Sequence, residues 1–246
     1  MTSMARTGVL FVLLSGVLGG VRLAAQHAPV VEDTLHFGHF GLVRVYRAGQ
    51  PSSPQDGDTL AVMISGDGGW AEIDRSVAEG LARRGIAVVG IDALRYFWDR
   101  RTPDGAARDL ARVIEHYCGE WHEHSVLVIG YSFGADVLPF MVARLPANVR
   151  SRIVLVALIN PQRYADFEFH VTDWLPFGGH RTSHPVIPEV RKLAGTRVMC
   201  LYGSDDHDAA CPSMDTTAVE VRELPGGHHF DGDYDRLVTA LLTGRR

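Results

Sequence analysis

The sequence predicts an α/β domain: a mostly parallel, doubly wound sheet with an N-terminal antiparallel hairpin and a small lid-like insertion. Three observations carry this expectation. Short apolar runs alternate with amphipathic segments from residue 60 to residue 242, the pattern of buried parallel strands covered by helices. A length of 246 residues, 46% hydrophobic and 22% charged, suits one domain with a sizeable core. No internal repeat or low-complexity run breaks the pattern.

Taken in order, Arg6 precedes an apolar stretch from Val9 to Leu18, and small residues follow at Ala24 and Ala25. This is the order of a secretory signal peptide, and the stretch is shorter than the roughly 20 residues that span a bilayer. Residues 1–25 are therefore expected to be a signal peptide cleaved near Ala25, and residues 26–246 one exported domain with no integral membrane segment. Cleavage removes Arg6 and Arg22 but no acid, leaving the chain more acidic than its overall net charge of −5. Such a balance excludes nucleic acid as an expected partner.

Leu35, Phe37, Phe40, Leu42, Val43 and Val45 around Gly38 and Gly41 predict the hairpin at a sheet edge. A polar turn over residues 51–58 ends it. Six buried strands follow at 60–64, 86–91, 126–129, 153–159, 198–202 and, more weakly, 219–224. Helices are predicted at 73–84, 103–117, 135–144 and 234–242, with Pro103 at a first helical position and Gly85 as a C-terminal cap. Residues 161–190 are the exception, since Pro161, Pro176, Gly178, Gly179, Pro185 and Pro188 break regular structure there. Phe167, Phe169, Trp174, Leu175 and Phe177 give this insertion apolar surface, so it reads either as a lid over the ligand crevice or as a packed surface loop. Three cysteines allow at most one internal disulfide; Cys200 with Cys211 is the favoured pair, and three buried thiols is the alternative.

The chemistry begins at Gly130-Tyr131-Ser132-Phe133-Gly134, placed between an apolar strand and a helix. That is the nucleophile elbow of the α/β-hydrolase fold, where a tight turn lifts the serine hydroxyl above the sheet. A serine hydroxyl needs a base, and the base an orienting carboxylate. The fold orders them serine, acid, histidine. Asp206 has the favoured Gly-x-x-Asp spacing in the turn after residue 202, with Asp205 and Asp208 as alternatives. His228 in the Gly-rich loop after residue 224 is the expected base, and His229 its alternative. Oxyanion donors are expected from the Phe133 N–H and from Asp67 or Gly68 in the loop Ser65-Gly66-Asp67-Gly68-Gly69-Trp70. The Lys-Ser/Thr ending of a phosphate-cradling P-loop is missing, and no histidine pair has zinc spacing, so neither metal nor cofactor is expected.

The runs SGDGGW at 65–70 with Asp74, GIDALRYFW at 90–98, GYSFGADVLPF at 130–140 and LPGGHHFDGDY at 224–234 resemble the VirJ/AcvB family of virulence-associated periplasmic proteins of bacteria. The chain looks like its single-domain, VirJ-like form. That resemblance implies a periplasmic serine hydrolase that releases lysine from lysyl-phosphatidylglycerol, linked in some members to type IV secretion. It implies Ser132, Asp206 and His228 as the triad. Beside the triad, Trp70, Arg95, Tyr96, Asp136, Asp205 and His229 are expected to meet substrate: Arg95 and Tyr96, with Trp98, a phosphate and lipid headgroup, the aspartates, with Asp67, Asp208, Asp231 and Asp233, the lysyl ammonium groups. A general carboxylesterase or thioesterase, and a non-catalytic envelope or secretion accessory protein, are the alternative readings.

Overall fold

Eight strands form one sheet in the order β1-β2-β4-β3-β5-β6-β9-β10. The structure is a computed structural model, and it describes residues 32–48, 58–169 and 184–243. The expected signal peptide, residues 51–57 of the polar turn, and Trp174, Leu175 and Phe177 of the insertion lie outside the described residues.

The hairpin pairs β1 (Glu32–Phe37) antiparallel to β2 (Gly41–Tyr46), and β2 pairs antiparallel to β4 (Ala87–Ile91). From there all pairings are parallel, through β3 (Thr59–Ile64), β5 (Ser125–Tyr131), β6 (Ile153–Ile159), β9 (Val198–Gly203) and β10 (Val219–Leu224). The central runs are continuously apolar because successive residues point to opposite faces and both faces are covered. On one face Leu60, Val62 and Ile64 pack with α3 (Pro103–Trp121) and α4 (Phe133–Ala143); on the other Ala61 and Met63 pack with α1 (Glu72–Arg83) and α7 (Tyr234–Leu242). Each fully buried aliphatic side chain contributes about 2 kcal/mol of transfer free energy. Helices α1 and α7 meet closely because Gly80 has no side chain: a Cβ there would lie 2.8 Å from Val238.

Several expected boundaries move. Helix α3 starts at Pro103 under a Thr102 cap whose hydroxyl accepts the Gly105 N–H at 3.1 Å, but it runs on to Trp121. Helix α4 begins at Phe133, two residues early, because the Ser132 carbonyl already accepts the Asp136 N–H at 3.1 Å. The last strand is not buried like the others: β10 is a sheet edge with mostly half-buried residues. Its Glu220 binds Arg197 at 2.6 Å and also Arg222, which reaches the Ala240 carbonyl at 2.7 Å. The opposite edge, β1, carries Glu32, Asp33 and His36. The short helices α2 (Ala93–Tyr96), α5 (Ala147–Arg150) and α6 (Val186–Val190), and the two-residue pair β7 (Tyr164–Ala165) and β8 (His184–Pro185), were not expected. Each is shorter than the window that shows a period. Cys200 and Cys211 form the favoured disulfide, and Cys118 is a buried free thiol.

Candidate active site

The geometry of the site starts with two glycines. A Cβ on Gly130 would lie 2.4 Å from the Gly134 carbonyl, and one on Gly134 would lie 2.3 Å from that of Ile64. Strand β5, helix α4 and the end of β3 therefore meet backbone to backbone. Between the glycines Ser132 adopts φ 50° and ψ −118°, an uncommon conformation for a residue with a side chain. This turn brings Ser132 to the carboxyl end of the sheet, where ligands of open α/β sheets bind.

His228 Nδ1 lies 2.6 Å from Asp206 Oδ2, and His228 Nε2 lies 2.9 Å from Ser132 Oγ. With the Nδ1 proton donated to the carboxylate, Nε2 is free to accept the serine proton. Of the three aspartates in that loop, only Asp206 makes this contact. Asp205 accepts from the Ser204 hydroxyl at 3.1 Å, and Asp208 donates its N–H to Asp206 Oδ1 at 3.3 Å; both are exposed. The acid and base loops cross at Gly203, where a Cβ would lie 2.2 Å from the Gly227 carbonyl.

Residues the sequence reading did not single out hold this line together. Asn160, at φ 48° after β6, donates its carboxamide N–H to the His228 carbonyl at 2.6 Å and accepts the Gly203 N–H at 3.0 Å. Asparagine tolerates that left-handed conformation better than most residues, but one Asn after a strand is too weak a signal to find from sequence. Tyr131 Oη donates to the His228 carbonyl at 3.3 Å and lies 2.8 Å from His229 Nδ1. His229 is therefore engaged with Tyr131 rather than with Ser132.

The oxyanion expectation rests on backbone groups. Phe133 opens helix α4, and neither its N–H nor that of Asp67 makes a hydrogen bond to the described residues. The loop holding Asp67 is fixed at both ends: Ser65 donates its N–H to Ile91 at 3.0 Å, its hydroxyl accepts from Ala93 N–H at 2.9 Å, and Gly69 N–H closes on Gly66 at 3.2 Å. Gly66 approaches Ser132 most visibly, since a Cβ on it would lie 3.5 Å from the serine Cβ. Asp67 and Gly68 are exposed.

Three expected substrate contacts are corrected. Trp70 is buried, donating to the Tyr46 hydroxyl at 3.0 Å, with its ring filling the space a Gly90 side chain would take. Tyr96 is buried and donates to Asp109 at 2.8 Å. Tyr96 ends α2 after β4 and Trp70 stands in the loop between β3 and α1, and each packs into the core on its own face of the sheet. Asp136 is buried and accepts the Gln162 N–H at 2.6 Å, and burial holds its carboxyl well above the usual carboxylate range. It fastens the loop after β6 instead of facing solvent. Asp233 caps α7 by accepting the Arg236 N–H at 3.1 Å, and Asp231 lies exposed beside Gly226. Arg95 is exposed, 3.6 Å from Asp92. The ends of the insertion pack beside the serine: the Phe169 ring lies 4.2 Å from that of Phe133, and Phe167 lies 5.8 Å from Phe97. Among the described residues no group of three or more His, Cys, Asp or Glu side chains is placed to hold a metal ion, and no helix is long and apolar enough to cross a membrane.

Solved structures share this architecture at low identity. The thioesterase domain from the curacin biosynthetic pathway aligns with TM-score 0.56 at 17% identity, covering 88% of this chain and 100% of that one. Est1E from Butyrivibrio proteoclasticus aligns with TM-score 0.58 at 14% identity, over 87% and 98% of the two chains. Proline iminopeptidase from Mycobacterium smegmatis gives 0.56 at 14%, over 86% and 97%. These likenesses establish the α/β-hydrolase fold. No curated protein matches the sequence. The family model described as bacterial virulence protein VirJ matches residues 58–246, which take in the elbow, the acid loop and the histidine loop. The chain belongs to the VirJ family.

Proposed function

We propose that the protein is a periplasmic serine hydrolase that cleaves the aminoacyl ester of lysyl-phosphatidylglycerol. The observation that carries the reading is the hydrogen-bonded line Asp206–His228–Ser132, at 2.6 Å and 2.9 Å. His228 takes the Ser132 proton as the oxygen attacks the ester carbonyl, while Asp206 holds the imidazole and stabilises its charge. The N–H groups of Phe133 and of Asp67 or Gly68 receive the oxyanion. Collapse of the tetrahedral intermediate breaks the ester bond, and His228 protonates the departing glycerol oxygen. A water then gives its proton to His228, attacks the lysyl-serine ester, and frees lysine and Ser132.

Substrate charge is supported by Asp67, Asp205 and Asp208, exposed carboxylates in the loops beside the serine that suit a lysyl ammonium. Family membership supports a role in virulence, and the reading extends to type IV secretion components as partners. The test is release of lysine from lysyl-phosphatidylglycerol vesicles, with Ser132→Ala as the inactive control. Rapid turnover of short acyl esters or thioesters without lysine release would replace this substrate by a general one. A Ser132→Ala protein that sustains every cellular role of the parent would replace catalysis by an accessory role.

A further inference from the structure

Beside the site lie two cavities that the proposed chemistry does not use. One, about 590 Å³, is an open groove between the hairpin turn and the segment after β4, lined by Phe40, Leu42, Leu94, Arg95 and Trp98 among others. The second, about 420 Å³, opens at the start of α3 and is lined by His39, Arg100, Arg101, Arg108 and Arg112, with Asp109 as its one acid. His39 and Arg101 line both, so the two form one surface.

Its composition is unlike the rest of the chain. Trp98 is 59% exposed and Leu42 42%; among the described residues the other exposed large apolar side chains are Leu35, Val154 and Tyr164. Net charge is −5 overall, yet five arginines, Arg95, Arg100, Arg101, Arg108 and Arg112, line this surface against two acids, Asp99 and Asp109. Asp109 is buried and already occupied by His39, Arg112 and the Tyr96 hydroxyl. Arg101 is held by the Tyr96 carbonyl at 2.9 Å and lies over the Tyr96 ring, but Arg100 reaches an acid only at 3.8 Å, and Arg108 makes no ion pair with the described residues. Cationic charge is thus in excess next to an exposed indole, a combination that suits the headgroup zone of an anionic bilayer, where Trp settles at the interface and each arginine gains from anionic lipid.

We propose that this surface docks the protein on an anionic phospholipid bilayer. The docking deepens the lipid-ester reading above and rests on it, because it places the serine crevice next to the headgroups. Phe97, the residue before Trp98, packs its ring 5.1 Å from Phe133, which follows Ser132.

The experiment is flotation of the protein, purified as the cell produces it, with vesicles of phosphatidylglycerol and phosphatidylcholine, or of phosphatidylcholine alone. No vesicle carries an aminoacyl ester, so binding is read independently of cleavage. Binding should require phosphatidylglycerol and fall steeply with added salt. Arg100→Glu with Arg108→Glu should weaken it by about tenfold or more, at an unfolding temperature close to the parent's. Trp98→Ala should weaken it severalfold with the salt dependence kept. Equal binding to phosphatidylcholine, no binding at all, or full binding by the arginine variant would each overturn the docking; in the last case an acidic protein becomes the better occupant. Docking without lysine release from lysyl-phosphatidylglycerol would instead overturn the substrate and leave the surface standing.

Discussion

The carboxamide of Asn160 donates to the main-chain carbonyl of His228 at 2.6 Å, and its oxygen accepts the N–H of Gly203 at 3.0 Å. One side chain thus ties the histidine loop to the strand end that leads to Asp206, so the two loops hold their spacing together.

Removing that amide leaves the Gly203 N–H without a partner, at about 1–3 kcal/mol, and the His228 carbonyl with the longer bond from the Tyr131 hydroxyl at 3.3 Å. Asn160→Ala should lower kcat on an ester substrate about tenfold to a hundredfold with KM little changed. Asn160→Gly should lose as much activity although it removes the strain at φ 48°. If the glycine variant kept full activity, the amide would have no positioning role.

The elbow glycines and a helical glycine should behave oppositely. Gly134→Ala puts a Cβ 2.3 Å from the Ile64 carbonyl, a backbone clash that should cost about 3 kcal/mol or more. Gly119→Ala, near the end of α3 with open space around it, should gain about 0.5–1 kcal/mol. Urea unfolding of both variants measures the contrast.

Burial pushes the Asp74 carboxyl up from 3.8 to about 7, against the opposing hydrogen bond from the Ala71 N–H. Between these values the folded chain holds a proton that the unfolded chain has lost. Stability from this group is therefore fully present below pH 4, declines as the pH rises toward 7, and is lost above it, by at most about 4 kcal/mol. Asp74→Asn, which keeps an oxygen for Ala71, should flatten that decline. Parallel slopes of stability against pH for parent and variant would rule it out.

The Cys200–Cys211 bridge closes a loop with a sequence separation of 11 that contains Asp206. Cys200→Ser with Cys211→Ser should cost about 3 kcal/mol. Reductant should lower the unfolding temperature of the parent by a similar margin and leave the double variant unmoved.

Much of this was legible from residue order. Apolar runs flanked by amphipathic helices reveal buried strands because each strand is covered on both faces, and Gly130 and Gly134 announce the turn because no side chain fits there. The choice of Asp206 over Asp205 and Asp208 followed the spacing from Gly203, which the crossing with Gly227 explains. Trp70, Tyr96 and Asp136 were misread as substrate contacts since nothing local distinguishes an inward aromatic or a buried carboxylate from one facing a crevice. Asn160 escaped notice because its two partners are 43 and 68 residues away in the chain.

The two outer strands have a bearing on how molecules meet. An unpaired strand invites a second copy to extend the sheet, and charge along it discourages this. Glu32 and Asp33 stand on one border, and the Arg197–Glu220–Arg222 cluster on the other. Neighbouring copies, even when crowded, should therefore stay separate instead of joining edge to edge into fibrils.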